Sequence, residues 1–217
     1  MSPSSCFNIL KTLTHENLLT FDPKTKKYAL EALPAQYFSV APRMHEWFDW
    51  LRDRLVDLAG EFLLSCGLWQ VRGDRLVLID VIDSPDATRV HLATGQRTPL
   101  YLGAMGRCVA AVEGHSRESI PKLIAHSRWQ NGPSPQAYWD SIEHVRHHGW
   151  AIDRNNFIRG LTTVAAPVRA SERTARHCLT ATGFSGQHED RVLGIIGEKV
   201  AAIAGEAETR WHRLAAG

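Results

Sequence analysis

Two glycines, Gly103 and Gly106, fall in the run PLYLGAMGRCVAA, where an apolar helical pattern begins. Backbone without side chains at a helix start leaves N–H groups open to a ligand, and the helix dipole favours an anion such as a carboxylate. Farther along, Thr180 and Thr182 stand two apart in a β-rich run. Their hydroxyls leave one face of a strand and can hydrogen-bond a ligand oxygen. The same features have plainer uses, since glycines permit a tight turn and paired threonines occur in strands for β-propensity alone.

Other reactive side chains form no comparable set. His144, His147 and His148 share a helical stretch, but no carboxylate or cysteine lies at a convincing companion spacing, and no His-Glu-x-x-His pair is present. Gly183-Phe184-Ser185-Gly186 lacks the spacing of a nucleophile elbow. Cys108 follows a helix start, where a thiol pKa can fall, and is the single nucleophile candidate; a buried packing thiol is its other reading. We therefore expect no catalytic residue, no metal and no cofactor. Cys6, Cys66, Cys108 and Cys178 are widely separated and read as reduced thiols. The polar start MSPSSCFN carries no leader pattern, so the expectation is a cytoplasmic protein with no membrane partner.

These residues must be positioned by an ordinary globular framework. The 217 residues are 44% hydrophobic and 22% charged, which excludes disordered, collagen-like and membrane classes and suits one domain plus part of a second. A net charge of +2 neither supports nor excludes nucleic acid. Residues 4–16 predict a short amphipathic helix capped by Ser2, followed by strand, polar turn and strand to Leu30. Pro34 and Pro42 mark a candidate boundary, and Met44 to Ser65 keeps helical apolar spacing. Strands are expected at 67–71, 75–83, 89–93, 150–153, 161–168 and 176–182. Helices are expected at 104–112, 120–128, 135–148 and 187–214, giving an α+β fold with a mainly antiparallel sheet flanked by helices.

Three stretches, in this order and spacing, resemble the IclR family of transcription regulators. SPSSCFNILKTLTHENLLTFDPKTKKYAL looks like that family's recognition helix and wing; TGQRTPLYLGAMGRCVAA is similar to its Gly-x-x-x-Pro-Leu segment and following helix start; HHGWAIDRNNFIRGLTTVAAPVR matches Gly-aromatic-x-x-Asp with Gly-x-x-x-x-Ala-Ala-Pro-Val. The resemblance runs from Ser2 to the end of the chain.

The resemblance implies an incomplete winged helix-turn-helix at 1–33, a linker and linker helix at 34–66, and a GAF-like effector-binding domain at 67–217. Two family helices would precede the recognition helix, so MSPSSCFNIL reads as the continuation of a longer protein, and DNA binding by these 217 residues is expected to be weak. DNA contacts are expected from Ser2, Ser4, Ser5, Asn8 and Lys11 on the helix and from Lys26 and Lys27, with Lys24, at the turn. Ser2 as a mere cap and Asn8 as a solvated side chain are equally open.

The implied effector pocket uses Gly103, Ala104, Met105, Asp153, Thr163, Thr180 and Thr182. Asp153 has the alternative of capping or pairing with an arginine. The family often has Ser or Cys where the threonines stand, and the added methyls, with Met105, suggest a partly apolar, even aromatic, carboxylic acid as effector rather than a very small oxoacid. Homodimers or homotetramers are implied as well, with Trp47, Trp50 and Leu51 as apolar surface for a partner or as core. A ligand-binding or dimer-forming module without DNA binding, and a small enzyme using Cys108, are the competing readings.

Overall fold

In the computed structural model, residues 2–15, 19–23, 25–30, 35–86, 90–125 and 127–215 are described. Contacts divide the chain into two units, Met1–Glu46 and Trp47–Gly217.

The first unit holds helix α1 (Pro3–His15) and a hairpin of β1 (Leu19–Asp22) and β2 (Lys27–Leu30). Ser2 caps α1, its Oγ accepting from the Ser5 amide at 3.2 Å. Leu19 pairs with Leu30 and Asp22 with Lys27 in the antiparallel ladder, and the Phe21 and Tyr28 rings meet at 4.8 Å. Lys26 takes a positive φ of 55°, which turns the chain tightly between the strands. Lys24 lies outside the described residues.

Helix α2 (Ala35–Phe62) starts earlier than the sequence pattern predicts and continues through Pro42. Proline removes one helical hydrogen bond, yet its fixed φ is itself helical, so it need not end the helix.

The second unit is built on a six-stranded antiparallel sheet in the order β5-β4-β3-β8-β7-β6. Its strands are β3 (Ser65–Arg72), β4 (Arg75–Asp83), β5 (Arg97–Pro99), β6 (Ala151–Arg154), β7 (Leu161–Ser171) and β8 (Thr174–Phe184). Helices α3 (Gly103–Glu113), α4 (Ile120–Ala125) and α5 (Pro135–His148) follow the first three strands, and α6 (Asp190–Ala215) closes the chain. The expected strand at 89–93 is not formed by its described residues, 90–93. The edge is taken instead by Arg97–Pro99, a short polar segment ending in proline that carries no apolar signal.

Strand alternation sorts the core into two layers. Val164, Ala166, Val168, Leu179 and Ala181 pack with Leu51, Leu55 and Leu58 of α2 and Ile196 and Val200 of α6. Ala165 and Cys178 point the other way, to Val109 of α3 and Tyr138 and Ile142 of α5. A bulge in β4 shifts this phase: Leu68 opposes Asp80 while Trp69 opposes Leu78, leaving Ile79 over. Leu78 thus joins the α3 layer and Ile82 the α2 layer, although they are four residues apart. Asp80 comes to face Arg52 of α2, with which it forms an ion pair. Of Trp47, Trp50 and Leu51, weighed in sequence as surface for a partner or as core, Trp47 and Leu51 are core, at 2% and 0% exposure, and Trp50 is half-buried.

Candidate functional site

Helix α3 is buried over its first nine residues, Gly103 to Ala111. Such enclosure is possible because its start is glycine-rich. Gly103 turns the chain with φ +68°, and at Gly106 a Cβ would lie 2.0 Å from the Tyr101 carbonyl carbon. Only hydrogen fits there. The Gly106 amide donates to Leu102 O at 3.1 Å, so helical bonding begins at that residue. The amides of Gly103, Ala104 and Met105 precede it, and Leu102, the N-cap residue, offers no side-chain cap. Among the described residues these three N–H groups have no partner, which leaves the positive end of the helix dipole open.

All seven residues of the expected pocket line one cavity of about 50 Å³: Gly103, Ala104, Met105, Asp153, Thr163, Thr180 and Thr182. Trp69, Leu92, Gln96, Phe157, Ile158 and Leu161 complete the wall and were not singled out in sequence. Trp69 opposes Cys178 across β3 and β8 and therefore shares a sheet face with Thr180, a pairing that the sequence does not state. Phe157 and Ile158 sit in an irregular loop, where periodicity says nothing.

The polar groups of the cavity divide into committed and open ones. Asp153 Oδ2 accepts from Arg107 Nη1 at 2.9 Å, and its Oδ1 accepts from the amides of Asn156 and Phe157 at 3.2 and 3.1 Å. Arg107 donates further to Ile152 O and Asn156 Oδ1, both at 2.8 Å, and lies over the rings of Trp129 and Tyr138. Asp153 therefore contributes wall and loop anchoring, with its charge neutralised. Thr180 Oγ1 accepts from Trp69 Nε1 at 3.1 Å and donates to Gly67 O at 3.4 Å, which uses its hydrogen.

Thr163 and Thr182 differ. Their hydroxyls bond each other at 3.1 Å across β7 and β8. A hydroxyl pair sharing one hydrogen bond retains a second O–H, and no protein acceptor takes it among the described residues. The cavity is thus lined by three residues whose amides have no partner among the described residues, a hydroxyl pair with one uncommitted hydrogen, no unneutralised carboxylate and a mainly apolar wall. That combination can hold a small anion.

The remaining candidates have other surroundings. Cys108 is fully buried, its Sγ directed to Ala165 O at 3.3 Å, and burial pushes its thiol well above the ordinary value, with Cys178 adding to the effect. The lowered pKa considered from its helix position is not realised, because desolvation outweighs the dipole. His144 and His148 stack at 4.2 Å, and burial with its two histidine neighbours lowers the His144 pKa. Among the described residues no three His, Cys, Asp or Glu side chains converge as metal ligands. In the first unit Ser2, Ser4, Ser5, Asn8, Lys11, Lys26 and Lys27 are all exposed. Ser2 spends its oxygen on the cap, while Phe7 and Ile9 are also exposed, at 58% and 48%.

Residues 45–207 match the family model "Bacterial transcriptional regulator IclR C-terminal". The chain belongs to the IclR family. Its described helices include none long and apolar enough to cross a membrane. Among curated IclR-type relatives it is 20% identical to the HTH-type transcriptional regulator BhcR of Paracoccus denitrificans, over 95% of this chain and 75% of that protein. It is 28% identical to the probable transcriptional regulator SauR of Cupriavidus necator, over 66% of this chain and 57% of that one. With KdgR of Escherichia coli the identity is 23%, over 77% and 65%. The fold matches that of an Alicyclobacillus acidocaldarius regulator at TM-score 0.68 and 19% identity, over 97% of this chain and 86% of the other. The Agobacterium tumefaciens repressor BlcR matches at TM-score 0.64 and 15% identity, over 97% and 84%. These relatives are named as regulators of transcription, not as enzymes.

Proposed function

We propose that this IclR-family chain is a ligand-responsive regulator in which residues 67–217 bind a small organic acid and residues 1–33 contribute DNA contacts, joined by the linker at 34–66. The observation that carries the reading is the meeting of the unpaired Gly103, Ala104 and Met105 amides with the Thr163–Thr182 hydroxyl pair on one cavity. A carboxylate satisfies the amides, and the apolar wall takes the rest of the ligand. Asp153 does not repel it, because Arg107 cancels its charge.

On the DNA side, Asn8 and Lys11 would read or grip the duplex from α1, and Lys26 and Lys27 would lie along phosphates. A dimer or tetramer is part of the proposal, because paired subunits present two such elements to a two-fold operator. Light scattering measures that state directly.

Isothermal titration of the 217-residue chain with a panel of short carboxylates tests the effector reading. Saturable binding that weakens about tenfold or more in the double variant Thr163→Val/Thr182→Val is expected. Absence of binding across the panel contradicts it. Fluorescence anisotropy with the DNA upstream of the gene, with and without the bound acid, tests the DNA reading; salt-insensitive or absent binding in every arrangement contradicts that part.

A further inference from the structure

Helix α2 ends on a residue that its backbone position does not favour. Leu63 follows the helix with φ +53°, and the Leu64 amide reaches back to Ala59 O at 3.1 Å. That bond closes a left-handed helix stop, in which the residue of positive φ is ordinarily glycine because a Cβ crowds the backbone. A leucine is strained there, and burial within the chain does not offset the strain, since Leu63 is 45% exposed.

Its surroundings on the surface follow the same trend. Among the described residues of the second unit four large apolar side chains are exposed, and Val56, Leu63 and Ile195 of these lie on or just after helices α2 and α6, whereas α3, α4 and α5 expose none. Val56, Gly60 and Leu63 are four and three residues apart, so they follow one line along α2, on a flank away from the buried Leu55, Leu58, Ala59 and Phe62. At Gly60 a Cβ would meet nothing within 4 Å. The flank therefore presents two apolar projections with a slot between them, a shape that a second helix fills.

Charge selects the occupant. Arg52, one turn before Val56 on the same line, is neutralised by its ion pair with Asp80, and the exposed Asp49 and Asp53 leave the N-terminal part of the flank acidic. A polyanion is repelled by such a surface. A second copy laid parallel would set aspartate against aspartate. Laid antiparallel about a two-fold axis near Gly60, each α2 brings its Val56 to Leu63 of the other and carries its aspartates to the opposite end. We infer that this flank of α2 is a self-association surface: two copies of the chain pair through antiparallel α2 helices that cross near Gly60, with the strained Leu63 as a principal contact. The inference rests on the proposed dimer and adds to it the surface and the symmetry.

The test is sedimentation velocity of the full chain over a range of concentrations, with the wild type beside Leu63→Gly and Val56→Glu. Leu63→Gly relieves the backbone and so does not endanger folding. At a dilution where single chains dominate its urea midpoint should rise, while its dissociation constant for self-association rises about tenfold or more. A variant that is more stable yet assembles less is the result that strain within the chain alone does not give. Val56→Glu, at an exposed position, sets a carboxylate in the apolar contact and should weaken association by about tenfold or more as well. In a wild type that forms tetramers, either change should halve the mass. A wild type that assembles while both variants assemble equally well overturns the inference and leaves the proposed dimer standing on another surface. A wild type that stays a single chain at every concentration overturns both.

Discussion

Arg107 and Asp153 form a 2.9 Å ion pair in which the side chains are only 3% and 5% exposed. It joins helix α3 to strand β6 and, through the Asn156 and Phe157 amides, fixes the loop that forms one side of the cavity. The pair thus works as a structural joint of the cavity wall.

Removing one partner of that joint leaves a buried charge alone. Asp153→Ala or Arg107→Ala is expected to destabilise the second unit by about 3–5 kcal/mol, whereas an apolar replacement of both should cost clearly less than the sum. Urea unfolding followed by circular dichroism measures this. Additive costs would contradict direct coupling.

Gly106 and Gly60 should respond in opposite senses to alanine. At Gly106 the new Cβ would overlap the Tyr101 backbone at 2.0 Å, while at Gly60 in α2 nothing lies within 4 Å. Gly106→Ala is expected to lower the melting temperature strongly or prevent folding. Gly60→Ala is expected to stabilise by about 0.5–1 kcal/mol, the ordinary helix gain.

Acid sensitivity should trace to His177. The ring is 1% exposed, both its nitrogens lack partners among the described residues, and Trp47 and Trp211 pack around it. Burial, with Arg176 beside it, pulls its pKa from 6.5 to about 3. The folded state therefore prefers the neutral ring. Its contribution is complete above the unfolded pKa of 6.5 and is lost as pH falls from there toward about 3. The loss runs at about 1.4 kcal/mol per pH unit. His177→Met should flatten the fall in urea midpoint between neutral and mildly acidic pH; an equally steep fall would assign it to other groups.

Thiol chemistry offers a check on the core. Cys6 is exposed, whereas Cys66, Cys108 and Cys178 are buried. Burial pushes Cys66 and Cys178 up to about 12, and Cys108 rises for the same reason. A thiol reagent should label Cys6 rapidly in the native chain and the other three only in denaturant. Fast native labelling of Cys108 would reopen its reading as a nucleophile.

Most of the framework was legible because its signals are periodic. The strand from Arg75 to Asp83 and the helix from Pro135 to His148 coincide with their predicted bounds, the strand because a Val-, Leu- and Ile-rich run lies between Gly73-Asp74 and Ser84-Pro85-Asp86, the helix because it follows the Asn131-Gly132-Pro133 breaker. Edge strand β5 was missed for lack of any apolar pattern, and the start of α2 because Pro42 resembles a stop. The β4 bulge was also invisible, since one extra residue changes phase without changing composition. The family motifs brought the seven cavity residues into view. They did not reveal that Asp153 is committed to Arg107 or that Trp69 lines the same cavity, because both facts depend on which neighbours the strands and a helix bring together.

The central claim, that the start of α3 captures a carboxylate, is tested most directly by nuclear magnetic resonance of the ¹⁵N-labelled chain during titration with a short oxo-acid. The Gly103, Ala104 and Met105 amide signals should move downfield together, saturate with one affinity, and outpace all others except those of Thr163 and Thr182. Saturable binding that leaves those three amides unmoved would contradict the account.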